Sequence, residues 1–268
     1  MIPLQRPQFP GSKAELAEAM AKSLGQYFGN KEPVVTISAR VFPYLDEIAI
    51  NFDGAQLDGK LPTLPQLAGE TKSACEAAIV TLSGHNVAVQ GAPVNLQLEA
   101  RDVVFHEGRD EKGEALLLVH NVRTGQIVIS AAQLDLENAI REIAQREGQN
   151  HGISVEETRV SLRARGPRSI AADVRLRARK FLLRANIDVA AQIDIEKDFA
   201  VKLSNFKCRG DGMVGSLACE VLGPLLKKLE GKTFSIMPPF YGEIQLHDVR
   251  IAVADTVEIT ADFGTAPA

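Results

Sequence analysis

Most of this chain alternates apolar and polar residues with a period of two. Side chains two apart on a strand share a face, so the pattern commits the chain to extended structure with one face dry and the other wet. It holds in Val35, Ile37, Ala39 and Val41, then in Ile48, Ile50 and Phe52. It resumes from Cys75 to Ser130, with Val87 and Val89, Val94, Leu96 and Leu98, and Val103 and Phe105 as strand faces. Leu116 to Ile129 reads as two strands or one long one, and Ile153 to Phe206 is almost unbroken strand. Turns are expected near Pro43-Tyr44, Gly108–Gly113, Gly166-Pro167, Lys180–Arg184 and Glu196-Lys197, and a loop over Leu61–Gly69.

Three segments switch to a helical period. In Ser12–Phe28, Leu16, Met20, Leu24 and Tyr27 share a face, Ser12 and Glu15 have capping-box spacing, and Gly29 is placed as the stop. Ser130–Glu147 repeats the pattern, with Ser130 and Gln133 as the box, Leu136, Ile140, Ile143 and Ala144 as the stripe, and Gly148 as the stop. The third helix runs from about Met213 to Leu229, with Gly223-Pro224 expected to kink it. Strands Ile244–Val253 and Val257–Phe263 close the chain. Meanders interrupted by single helices do not suit a parallel α/β enzyme fold. No linker composition divides the sequence, so the expectation is a flexible stretch over 1–11, one α+β domain over 12–264 and a tail over 265–268.

The chemistry-bearing residues form no motif. There is no G-x-S-x-G, no phosphate-binding glycine loop and no dinucleotide fingerprint. The five histidines have no metal-ligand spacing. Gly210-Asp211-Gly212, ahead of the third helix, reads as a loop and cap rather than an anion cradle. The sequence therefore predicts no enzyme, no cofactor and no metal. A net charge of −4 and an aromatic content of 5 % without Trp give no reason to expect nucleic acid. Cys75, Cys208 and Cys219 are expected as reduced thiols, with Cys208–Cys219 the one pairing to check. No apolar run is long enough to cross a membrane. Met1–Gly11 lacks the layout of a secretion signal. These readings predict a cytoplasmic protein, peripheral on a membrane at most, or a periplasmic one if a signal has been removed.

Two features stand above this background. Between Arg159 and Arg184 lie Arg159, Arg163, Arg165, Arg168, Arg175, Arg177, Arg179, Lys180 and Arg184, opposed within the segment only by Asp173. Arg163, Arg165, Arg175, Arg177 and Arg179 alternate with apolar residues. If their strands pair, they form one basic face that either meets an anionic surface or is neutralised by acidic side chains elsewhere in the molecule. The second feature is the third helix. Leu217, Val221, Leu222, Leu225, Leu226 and Leu229 belong to an apolar face too wide for a helix with one wet side. Either sheet wraps around it, which would bury Val221, Leu222, Leu225 and Leu226, or its far side lines an apolar cavity. An ordinary solid core is the alternative.

The C-terminal part carries a resemblance. An apolar helix, Val214–Leu229, leads into Phe234-Ser235-Ile236-Met237-Pro238-Pro239-Phe240-Tyr241-Gly242, then a strand over Glu243–Val253 and a closing strand over Val257–Gly264. With the strand-to-helix passage at Ile127–Ile140, this is similar in order and texture to the bacterial LmeA-like branch of the tubular lipid-binding (TULIP) superfamily. The resemblance implies a long, strongly curved antiparallel sheet rolled around a long C-terminal helix, with an elongated apolar cavity. It carries no functional residue over. It implies a non-enzymatic protein that binds, and could transfer, a lipid or other long apolar ligand, docking reversibly on anionic membrane through the arginine face. The competing reading is an interaction module with a solid core whose basic face binds an acidic protein or polyanion.

Overall fold

The computed structural model describes residues 1–28, 32–57, 65–89, 91–150, 152–180, 183–196, 200–235 and 244–265. The elements are β1 (Ile2–Pro3), α1 (Lys13–Gly25), β2 (Val34–Ser38), β3 (Tyr44–Asn51), β4 (Gln56–Leu57), β5 (Leu67–Val89), β6 (Ala92–Asp110), β7 (Ala115–Ala132), α2 (Gln133–Asn150), β8 (Ser154–Gly166), β9 (Ser169–Lys180), β10 (Leu183–Ile195), β11 (Ala200–Gly210), α3 (Gly212–Leu229), β12 (Thr233–Ser235), β13 (Gln245–Val253) and β14 (Thr256–Gly264). The fold is α+β, dominated by strand, as the alternation predicts. Among the described residues the strands do not close into a barrel, and no long C-terminal helix is present. The last helix, α3, has 18 residues and strands follow it. The chain forms two compact units: Met1–Ser130 with Met237–Asp248 and Ile259–Ala268, and Ala131–Ile236 with Val249–Glu258.

The first unit is built on a nine-stranded sheet of order β13-β14-β7-β6-β5-β3-β2, with β1 added on β7 and β4 on β5. Most pairs are antiparallel, but β3 and β4 run parallel to β5. Leu116, Leu117 and Leu118 of β7 are all buried, so both faces of that strand are covered there. Part of the cover is the start of the chain. The expected flexible lead instead pairs Ile2 with Leu117. Leu4 N–H donates to Ala115 O (2.8 Å), Ala115 N–H donates to Arg6 O (2.7 Å), and Leu4 and Pro10 are buried. Apolar side chains at Leu4 and Pro10 make docking worth its ordering entropy. Helix α1 begins at the predicted cap: Ser12 Oγ accepts from Glu15 N–H (3.3 Å), one half of a capping box, while Glu15 Oε2 accepts from Gly11 N–H (3.1 Å), one residue ahead of the cap. It stops at Gly25 rather than Phe28, and Gly29 lies outside the described residues.

The second unit is built on an antiparallel five-stranded sheet, β12-β11-β10-β9-β8, with the turn at Gly166-Pro167 where the sequence places it; the turns expected near Lys180–Arg184 and Glu196-Lys197 lie partly outside the described residues. Helix α2 starts three residues later than its capping-box spacing predicts. Ala131 and Ala132 still belong to β7, and Gln133 N–H donates to Asp255 O (2.8 Å), so Ser130 has no helix to cap. Gly148 does not end α2 either. A Cβ there would stand 2.8 Å from Ile153 O, so this glycine lets the next strand approach. Gln133 Nε2 donates to Val160 O (3.2 Å) and Gln145 Nε2 to Val155 O (3.4 Å). In this way α2 satisfies carbonyls of β8, the edge strand of its sheet.

Candidate functional site

The two faces of the five-stranded sheet differ completely. On one, strand register sets Arg159 beside Arg175, Arg175 beside Asp188 and Asp188 beside Arg209. The adjoining row runs Ser161, Asp173, Ala190, Lys207. The expected arginine face is therefore real as a surface, but it is threaded with carboxylates. Arg175 pairs with Asp188 at 2.8 Å, Arg177 with Glu157 at 3.7 Å, Arg179 with Glu156 at 3.3 Å, and Arg163 with Asp173. Arg159 also reaches Glu157 (2.7 Å), and Arg184 reaches Glu156 (3.4 Å). A register shift between Val155 and Glu157 is what brings consecutive glutamates to one face. Of the five predicted arginines, only Arg165 has no carboxylate in ion-pair range among the described residues. Lys207 and Arg209 of β11 share that condition, and the sequence reading missed both. Their signal was the alternation of Lys207 and Arg209 around Cys208, outside the arginine run. An open depression of about 1150 Å³ crosses this face, lined among others by Arg159, Arg163, Arg175, Lys207, Arg209 and Asp188.

The other face is apolar and carries α3, while α2 packs along edge strand β8. Ala178, Ile187 and Ala218 form its buried centre, with Ile153, Leu176, Val189, Cys208, Cys219 and Leu222 packed partly buried against it. Helix α3 lies on β10 and β11 at very short range. A Cβ on Gly210 would stand 2.1 Å from the carbonyl carbon of Gly215, and one on Gly215 would stand 2.7 Å from that of Gly210. Only glycines permit that backbone contact. The cysteines correct the sequence reading: Cys208 and Cys219 are bonded, with their Cα atoms 5.6 Å apart, and only Cys75, buried in the first unit, is free. Helix pattern puts Gly215, Ala218, Cys219, Leu222 and Leu226 on one stripe, so the bond and the glycine contact hold the same side of α3 to the sheet.

Part of the wide apolar face of α3 is open: Met213 is 85 % exposed and Leu217 49 %. Leu222, Leu226 and Leu229 are half-buried, and the side chains of Val221 and Leu225 lie outside the described residues. Half-burial extends across the unit. Leu136, Ile140 and Ile143 of α2, Leu162 of β8, Leu176 of β9 and Leu203 of β11 are all half-buried. The fully buried apolar residues here are alanines, valines and isoleucines, whereas the first unit buries Leu4, Leu16, Leu45, Leu116, Leu117, Leu118 and Leu246. The first unit also has half-buried large apolar residues, among them Leu24, Leu67, Leu96, Ile129 and the cross-strand row Leu82, Leu98, Ile127, but beside sealed leucines. Beneath α2, Thr158 is 2 % exposed and its hydroxyl has no hydrogen-bond partner.

The remaining titratable groups are dispersed. His106 and His120 stack with ring centroids 3.7 Å apart, and His106 Nδ1 lies 3.2 Å from Thr71 Oγ1. Burial, with His120 adding to it, lowers the pKa of His106. Asp53 accepts from Asn51 Nδ2 (3.0 Å) and from His85 N–H (2.7 Å). Bonds from the Asn51 and His85 side chains, then from the His85 backbone, bring its pKa to about 2. Among the described residues, no three His, Cys, Asp or Glu side chains converge as metal ligands would. No protein-family model, no curated protein and no solved structure matches the chain.

Proposed function

We propose that the chain is a non-enzymatic binding protein for a lipid or another long apolar ligand, held against the helix-bearing face of the five-stranded sheet. One observation carries this: the large apolar side chains of that face are half-buried around a centre of small residues. A core built only for stability would sink its leucines, since each fully buried one contributes about 1.5–3 kcal/mol. Ile140, Leu176, Leu222 and Leu226 forgo part of that and offer an apolar contact surface between helix and sheet. The alternative of a solid core predicts sealed leucines, which the first unit has and the second, among its described residues, lacks. The TULIP resemblance agrees with the ligand class, although the ligand here lies on an open face rather than inside a roll.

Reversible attachment to anionic membrane is the second element of the proposal, and the ion pairs narrow it. Charge already neutralised by Asp173, Asp188, Glu156 and Glu157 contributes little. Attachment therefore falls to Arg165, Lys207 and Arg209, each worth about 1 kcal/mol near an anionic surface. The Cys208–Cys219 bond supports an oxidising compartment, outside the cytoplasm, as part of this proposal.

A fluorescent fatty-acid analogue tests the ligand reading. Saturable binding that is competed by unlabelled phospholipid and weakened at least tenfold by Leu176→Gln with Leu222→Gln is the expected result. Failure of the analogue to bind, in protein whose circular dichroism is intact, would remove the proposal.

A further inference from the structure

The charged face holds a second site, and we infer that it takes a phosphate monoester group. The depression that crosses it is lined by cations from β8, β9 and β11 and by carboxylates at Glu137, Asp173 and Asp188. The pairing is uneven. Arg163 is held by Asp173, Arg175 by Asp188 and Arg159 by Glu157. Lys207 and Arg209 have no carboxylate in ion-pair range among the described residues, and both are exposed. The positive excess is thus not spread along the arginine run but focused on one strand.

Register fixes where that excess points. Lys207 and Arg209 are two residues apart on β11, so their side chains leave the same face about 7 Å apart. Arg209 stands beside Asp188, whose carboxylate Arg175 already occupies. Lys207 stands beside Ala190, which has no charge to offer. Lys207 also lines a smaller adjoining depression of about 230 Å³ with Arg165, Asn205 and Gln192. Lys207 over the small, uncharged Ala190, with Arg209 two residues on, leaves room for one compact anion between the two cations. A phosphate monoester carries about −1.5 to −2 at neutral pH and three acceptor oxygens. That matches two cations in charge and exceeds what a single carboxylate supplies. Arginine favours bidentate recognition of phosphate, and lysine adds a point charge. The inference holds whether or not the opposite face takes an apolar ligand, because it rests on Lys207 and Arg209, which are not among the residues packed on the apolar centre.

The test is a titration of the full chain in low salt. Glycerol 3-phosphate serves as the soluble phosphomonoester, and vesicles of neutral lipid with or without phosphatidic acid present the same group on a membrane. The expected result is saturable binding of one or both phosphate probes, weakened at least tenfold by Lys207→Ala with Arg209→Ala. Arg177→Ala, which removes a cation already paired with Glu157, should change affinity by less than about twofold. Binding of glycerol 3-phosphate identifies a soluble source, and binding only of phosphatidic acid vesicles identifies a lipid headgroup. No saturable binding in either arm, or binding that the Lys207 and Arg209 changes leave intact, overturns the inference. The double alanine variant sits at exposed strand positions, and an unchanged thermal melt confirms that its loss is not a folding defect.

Discussion

Removing the Cys208–Cys219 bond should loosen α3 by a calculable amount. The bond closes a loop with a sequence separation of 11. Loop-closure entropy for a ring of that size gives about 3 kcal/mol of stabilisation at 25 °C. The perturbation is Cys208→Ala with Cys219→Ala. For a urea dependence of about 1–3 kcal/mol per molar, the transition of the second unit should move down by about 1–3 M. Thiol counting comes first. Unreduced protein in denaturant should show one reactive thiol, Cys75, and reduced protein should show three. In the native state Cys75 should resist alkylation, since burial, with Glu76 adding to it, pushes its thiol up to about 12. Finding three thiols without reductant, or a double variant that unfolds at the same urea concentration as oxidised wild type, would refute the reasoning.

Leu116→Ala should cost about 2–5 kcal/mol, because Leu116 is sealed; Leu222→Ala, at a half-buried position, should cost roughly 1 kcal/mol, and equal losses by chemical denaturation would contradict the contrast drawn between the units. Thr158→Val replaces a buried, unpartnered hydroxyl by a methyl of the same shape and should stabilise the ligand-free protein by about 1 kcal/mol; a destabilised variant would mean that the hydroxyl is satisfied. His106 has a folded-state pKa below its ordinary 6.5, so its neutral form supports the fold. Its contribution is present above that value and lost as pH falls below it. His106→Gln should flatten the fall in stability on acidification, and an unchanged pH profile by thermal melting would argue against it.

The strand framework was legible because period-two alternation is a local signal that no tertiary contact reversed from Ser154 to Gly210. Helix ends were less legible. Ser130 and Gln133 have capping-box spacing, yet β7 runs through Ala132, and a backbone bond from Gln133 to Asp255 lies far beyond any sequence window. The arginines at 163, 165, 175, 177 and 179 were found by spacing alone. Their neutralisation depended on Asp188, and on a bulge that turns Glu156 and Glu157 to the same side. Lys207 and Arg209 were overlooked because they are few and sit apart from the run; pairing brings them onto its face. The breadth of α3's apolar surface was a sound signal, but what it meant depended on Gly210 and Gly215, whose lack of side chains lets one stripe of the helix lie against β11 and leaves Met213 and Leu217 outside.

The most direct test of the central claim is native mass spectrometry of the purified protein, followed by organic extraction and identification of anything carried with it. The account predicts a discrete mass increment of lipid size on a fraction of the molecules, reduced in the Leu176→Gln, Leu222→Gln variant. A bare mass for the chain, unchanged after incubation with phospholipid, would contradict it.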